Sequence, residues 1–95
     1  MTIKEKILKI MSLALEINPP EIKNIGKKRT AVFVHWSSHC NIIELTIFKN
    51  GWKRENNDKE YKCAYTDWDD ADEQLDTLIE RLEGIREEID KGDAL

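Results

Sequence analysis

The residues best suited to chemistry lie in the segment VHWSSHCN, residues 34 to 41. His35, His39 and Cys40 fall within six positions, and imidazole and thiolate groups can ligate zinc or form a nucleophilic pair. The spacing lacks the paired Cys-x-x-Cys or helical His-x-x-x-His arrangement that would preorganise a metal site. Adjacent side chains in a tight turn also point apart. We therefore expect no metal ligands, no cofactor and no catalytic residues here.

Length and composition restrict the classes of protein to consider. The chain has 95 residues, 40% of them hydrophobic and 36% charged, which predicts one soluble domain with a single small core. No apolar run approaches the roughly 20 residues of a membrane helix, and the N-terminus lacks a signal-peptide pattern. We expect a cytoplasmic protein. Cys40 and Cys63 are too few for a disulfide framework and are interpreted as free thiols.

The N-terminal segment predicts an amphipathic helix over residues 3–17. Thr2-Ile3-Lys4-Glu5 has the spacing of a capping box, in which two side chains satisfy free backbone N–H groups. Pro19 and Pro20 end the helix because neither can donate a backbone hydrogen bond. The apolar stripe is wider than one sheet contact requires, and the extra residues are Leu8, Met11 and Leu15.

The C-terminal segment predicts a second helix over about residues 68–91. Apolar residues follow a four-three spacing before Gly92, and Thr66-Asp67-Trp68-Asp69 is similar to an N-cap. Acidic residues cluster at its start: Asp67, Asp69, Asp70, Asp72 and Glu73. A cation site or catalytic carboxylate pair is one interpretation, but negative charge there also complements the helix dipole, which is the interpretation we favour.

Three segments between the helices predict strands. Residues 30–36 and 42–48 are rich in β-branched and aromatic side chains and flank the turn SSHCN, and residues 61–66 predict a third strand. The order α-β-β-β-α indicates an α+β domain, in which a three-stranded antiparallel meander carries two helices packed on one face.

Strand alternation assigns residues to the two faces of this sheet. The face predicted to contact the helices holds Val32, Val34, Ile43, Leu45 and Ile47. The opposite face holds Phe33, His35, Glu44, Thr46 and Phe48, with no further element of the chain to cover it. We therefore expect Phe33, His35 and Phe48 to belong to a binding surface.

Charge is divided along the chain. Residues 1–66 contain 12 basic and 7 acidic side chains, a net charge of +5, whereas residues 67–95 contain 3 and 12, a net charge of −9. A basic rim is expected around Trp52, formed by Lys27, Lys28, Arg29, Lys49, Lys53 and Arg54. Such a rim favours nucleic-acid binding, with Trp52 stacking on a base. Double-stranded RNA-binding domains share the element order, but their second helix begins with basic residues, where this chain is acidic.

The stretch Trp36-Ser37-Ser38-His39-Cys40-Asn41, followed by Asn50-Gly51-Trp52, resembles a pattern in small uncharacterised proteins of phages and prophages of Gram-positive bacteria. These carry an aromatic-Ser-Gly-His-x-Asn turn and a later Asn-Gly-Trp, and this chain departs at Ser38, where the pattern has glycine. The resemblance implies a phage accessory protein. His39 and Asn41 are interpreted as turn-forming residues whose side chains bond to the backbone.

Taken together, these patterns favour a non-enzymatic protein-interaction module. We expect a protein partner or a second copy, with a homodimer favoured because of the surplus apolar surface on the helices. A nucleic-acid-binding module that uses Trp52, Lys53 and Arg54 in the basic rim is the alternative. No membrane contact and no small-molecule substrate are indicated.

Overall fold

The computed structural model describes residues 1–20, 30–49 and 59–90. They form α1 (Ile3–Ile17), β1 (Ala31–Ser37), β2 (Ile42–Phe48), β3 (Glu60–Tyr65) and α2 (Ala71–Asp90). The three strands make one antiparallel sheet in the order β1-β2-β3. The predicted α+β class and the α-β-β-β-α meander are confirmed. Neither of the two described helices has the length and apolarity needed to cross a membrane.

The N-terminus of α1 carries the predicted capping box. The Thr2 hydroxyl accepts a hydrogen bond of 3.1 Å from the Glu5 N–H, and the Glu5 carboxylate accepts one of 2.8 Å from the Thr2 N–H. These bonds satisfy two of the N–H groups that lack partners within the helix. The helix ends at Ile17, and the Asn18 N–H closes it on the Ala14 carbonyl at 2.9 Å.

Helix α2 begins at Ala71, so the predicted start at residue 68 is wrong. Thr66 does not cap the helix, because both its N–H and its hydroxyl bond to the Asn41 carbonyl, at 2.8 and 3.2 Å. Asp70 takes the capping position instead, and its carbonyl accepts the Gln74 N–H at 3.1 Å. Thr66 is therefore bonded to the sheet, although the sequence spacing predicts that it caps the helix.

The core lies between the sheet and both helices, centred on β2. Ile43, Leu45 and Ile47 have at most 1% of their surface exposed, and Val32 and Val34 of β1 pack against them. The predicted helix-facing side of the sheet is therefore correct. The helices contribute Ile10, Leu13, Ile17, Leu75, Leu78, Ile79, Leu82 and Ile85 to the same cluster.

The two helices lie side by side and run in the same direction. Their ion pairs show this, because residues later in α1 pair with residues later in α2. Lys6 contacts Asp72 and Asp76 at 3.1 and 2.9 Å. Near the other end, Arg86 donates a 2.9 Å hydrogen bond to Glu16. Both helices therefore occupy one face of the sheet, and part of the negative charge of α2 is matched by basic residues of α1.

Candidate functional site

The β1–β2 turn connects two strands and is hydrogen-bonded to the residue that follows the third, Thr66. Asn41 has a φ of 53°, the left-handed conformation that asparagine tolerates better than most residues. Its carbonyl accepts both hydrogen bonds from Thr66 described above, which extends the β2–β3 ladder into the turn. Asn41 thus contributes to the turn through its backbone conformation and its carbonyl group. The side chains of His39 and Cys40 are exposed at the tip of the turn.

An apolar groove opens beside this turn. It has a volume of about 510 Å³ and lies between the N-terminal half of α1 and the end of β1. Its lining consists of Ile3, Lys4, Ile7, Leu8, Trp36, Asn41 and Thr66. Trp36 is on the helix side of the sheet, yet 41% of its surface is exposed. An indole in such a groove offers a large flat area to an apolar group.

Next to the groove, three apolar side chains of α1 form an exposed row, which we call the α1 stripe: Leu8, Met11 and Leu15. Leu8 is 57% and Leu15 52% exposed. Lys6, Lys9 and Glu16 mark the flank that contacts α2, and the stripe lies on a different flank, on the side of β1. The sequence-based expectation of surplus apolar surface on α1 therefore has a definite location.

The sheet face away from the helices, which we call the open face, carries two exposed rings. The register places Phe33 and Tyr61 on either side of Thr46, and both rings are about half exposed. Phe48, which we expected to lie uncovered on this face, is only 6% exposed, and its ring contacts Phe33 edge to face at 5.1 Å between centroids. The expectation that Phe48 is uncovered is therefore wrong, because its ring is buried and packs against Phe33.

A polar cluster occupies the centre of the open face. Glu44 accepts a 2.8 Å hydrogen bond from the Tyr61 hydroxyl and lies 3.5 Å from the His35 imidazole. The bond to Glu44 raises the pKa of Tyr61 above its ordinary value, because the phenol would have to give up the proton it shares with a carboxylate. Tyr61 is therefore a hydrogen-bond donor at neutral pH, and the cluster fixes side chains of three neighbouring strands.

Several predicted site residues lie outside the described residues. They are Trp52, Lys53 and Arg54 of the predicted binding surface, together with Lys27, Lys28 and Arg29 of the basic rim. Of that rim, the structure describes Lys49, whose carbonyl accepts the hydroxyl of buried Thr30 at 3.1 Å. The Cys40 and Cys63 thiols are free. Among residues 1–20, 30–49 and 59–90, no group of three or more acidic, His or Cys side chains converges to hold a metal ion.

Sequence reasoning missed Tyr61 and Trp36 as surface residues. The signal for Tyr61 was available, because alternation along the predicted third strand puts residues 61, 63 and 65 on one face. For Trp36 the sequence offered no such signal, since its position in β1 matches the helix-facing side. Helix α1 contacts β1 and α2 contacts β3, and near Trp36 the end of β1 is incompletely covered.

Comparisons with known proteins gave no match to this chain. No family model, no curated protein and no solved structure matches the chain.

Proposed function

We propose that the protein is a self-associating interaction module, in the phage accessory setting that its turn motif resembles. The observation that carries the proposal is the α1 stripe, with Leu8 and Leu15 more than half exposed beside the Trp36 groove. Leucine, methionine and tryptophan side chains gathered on one flank of a small domain are typical of a contact surface.

Magnitudes support a dimer of modest affinity. Burying an exposed Leu or Met side chain contributes on the order of 1–2 kcal/mol. Six such side chains from two facing stripes thus offset an appreciable part of the roughly 4–15 kcal/mol that association costs. Further contacts are needed for a stable complex.

Sedimentation equilibrium tests this proposal. At tens of micromolar chain we expect the wild type at about 22 kDa, twice the 11.1 kDa chain mass. Replacing Leu8→Glu together with Leu15→Glu should return the protein to the monomer mass, because two carboxylates in an apolar contact lose their hydration. Both positions are exposed, so the circular dichroism spectrum should stay unchanged.

A matched control places two carboxylates elsewhere. Trp68→Glu with Thr77→Glu makes the same change of charge and also removes an exposed apolar side chain, but outside the α1 stripe. This variant should remain dimeric. A wild type that sediments as a monomer at tens of micromolar, or a control that dissociates as fully as the stripe variant, argues against the proposal.

Nucleic-acid binding is the second candidate, and the exposed rings of Phe33 and Tyr61 favour it. Two aromatic rings on an open sheet can stack on successive bases of a single strand, and the predicted basic rim would contact phosphates. Against it, Glu44 places a carboxylate beside Tyr61, where it repels a phosphate backbone.

A gel shift with single-stranded RNA and DNA decides between the two candidates. Binding that weakens steeply with salt, and that both Phe33→Ala with Tyr61→Ala and Lys53→Glu with Arg54→Glu abolish, would favour the second candidate. If neither the RNA nor the DNA strand is shifted at low salt, nucleic-acid binding is rejected. The stripe variant serves as the control, because its substitutions lie on the helix side of the domain.

A further inference from the structure

The outer edge of β1 carries backbone groups that, among residues 1–20, 30–49 and 59–90, pair with no other strand. The Asn18 side-chain oxygen accepts the Val32 N–H at 2.7 Å, and its amide donates to the Thr30 carbonyl at 2.9 Å. These bonds show that Val32 turns its N–H away from β2. Since alternate residues point the same way, Val34 and Trp36 also direct their N–H and C=O groups outward. Within the described residues, the hydrogen bonds to this edge come from Asn18.

The β1 edge also lacks the features that protect sheet edges from pairing. Its residues, Ala-Val-Phe-Val-His-Trp-Ser, include no lysine, proline or acidic side chain, and these are the residues that usually block strand addition. The other edge is different. β3 carries Glu60 and Lys62, and Gln74 of α2 covers the Tyr65 N–H with a 2.8 Å hydrogen bond. Within the described part of the chain, the β3 edge is therefore better protected against strand addition than the β1 edge, to which Asn18 bonds.

The side chains beside the β1 edge are incompletely covered. Val32 and Val34 are half-buried and Trp36 is exposed, whereas the equivalent residues of β2 are fully buried. The α1 stripe flanks the same edge, since Asn18, one turn beyond Leu15, bonds to it. Backbone donors and acceptors therefore lie next to apolar surface, as an added strand with its own helix would require.

Resting on the proposed self-association, we infer that two copies of this chain pair through β1, antiparallel about a two-fold axis, into one six-stranded sheet. The edge is self-complementary in this arrangement, and the same rotation brings the two α1 stripes together. It also runs the two α1 helices antiparallel. Lys4 of each copy then approaches the C-terminal half of the other α1, whose last turn holds no basic residue, and this is favourable for the helix dipole.

Asn18 selects the register. Asn18 occupies the Val32 N–H. The outward groups that no described residue bonds are those of Val34 and Trp36, and both are used when Val34 of one copy pairs with Trp36 of the other. His35 then lies opposite His35 of the second copy at a non-hydrogen-bonded position, where Cα atoms are about 4.5 Å apart. That separation lies within the range that a disulfide can span.

Cysteine cross-linking tests the register in the full chain. In a background of Cys40→Ser and Cys63→Ser, we expect His35→Cys to form a covalent dimer under mild oxidation at tens of micromolar chain. Tyr61→Cys is the matched control, since it also lies exposed on the open face but on β3. It should stay monomeric on a non-reducing gel. Sedimentation of each reduced variant gives its mass without the cross-link.

The outcomes separate the inference from the proposed function. If the reduced variants sediment as dimers but His35→Cys forms no cross-link, or Tyr61→Cys cross-links instead, pairing through β1 is overturned and self-association stands. If the wild type and both reduced variants sediment as monomers, the proposed function fails and the β1 pairing fails with it.

Discussion

At the scale of single residues, an ion pair with two hydrogen bonds joins the sheet to α2. The Arg81 guanidinium donates two hydrogen bonds to the Glu60 carboxylate, at 2.9 and 3.0 Å. This two-bond geometry suits the planar guanidinium. Arg81 holds the pKa of Glu60 below its ordinary value of 4.5, because the charged carboxylate is the form that accepts both bonds.

The lowered pKa predicts how stability depends on pH. A carboxyl group with a lower pKa in the folded protein contributes stability above its unfolded pKa and loses it as pH falls through the folded pKa. Glu60→Gln should therefore lower the free energy of unfolding by roughly 1 kcal/mol at pH 7, and the difference from wild type should shrink below about pH 4. Urea unfolding at several pH values measures this.

Glu80→Gln is the control for this prediction, because it removes an exposed carboxylate from α2, the helix that carries Arg81. Its effect should stay within about 0.5 kcal/mol at every pH. A Glu60→Gln variant whose deficit persists unchanged at low pH would mean that lost packing, and not the charged pair, accounts for the effect.

At the scale of elements, the β1–β2 turn determines how the hairpin meets α2. The positive φ of Asn41 reverses the chain, and its carbonyl holds Thr66 in the sheet. Because Thr66 is bonded there, α2 starts later, at Ala71. One residue in a left-handed conformation thus influences a turn, a strand end and a helix start.

Substitutions at Asn41 test this role of the turn. Asn41→Ala should destabilise the protein by about 1 kcal/mol, since alanine lacks the tolerance of asparagine for positive φ. Asn41→Gly should change stability little, because glycine adopts that conformation freely. Ser38→Ala, in the same turn, is the control and should stay within about 0.5 kcal/mol. Equal losses for Asn41→Ala and Asn41→Gly in urea unfolding would point to the asparagine side chain instead.

At the scale of the whole molecule, charge connects the two ends of the chain. Lys6 lies between Asp72 and Asp76, and Arg86 reaches Glu16. The hydrogen bonds to Asp76 and Asp72 raise the pKa of Lys6 above its ordinary value. Opposite charges from the two parts of the sequence therefore meet between the two helices.

The ion pairs between the two helices predict that the stability of the protein depends on salt concentration. Lys6→Met should lower the urea midpoint at about 20 mM NaCl. The deficit should diminish at about 0.5 M NaCl, where salt screens the exposed carboxylates of Asp72 and Asp76. Lys9→Met is the control in the same helix, since the Lys9 ammonium lies 3.9 Å from one carboxylate, that of Glu83. Its effect should be smaller. A Lys6→Met deficit that is equal at both salt concentrations would contradict an electrostatic cause.

The sequence by itself determined the element order, the bounds of α1 and β2, and the core-facing side of the sheet. These follow from local rules, namely the Thr2–Glu5 capping box, the alternation of β-branched residues and the four-three spacing of the helices. Much of the candidate surface was also predictable, since Phe33, His35 and the α1 stripe follow from the same periodicities.

Only the tertiary structure decided which of these residues form usable surfaces. Phe48 and Phe33 share one face by alternation, yet one is shielded and the other exposed. Thr66 has the chemistry of a helix cap, but its neighbour across the sheet, Asn41, takes both of its donors. The physical reason is that periodicity assigns a side chain to a face, whereas exposure and hydrogen-bond partners depend on residues distant in sequence. The surroundings of the β1 edge beside the α1 stripe, where Asn18 bonds, depend in the same way on where the helices lie over the sheet.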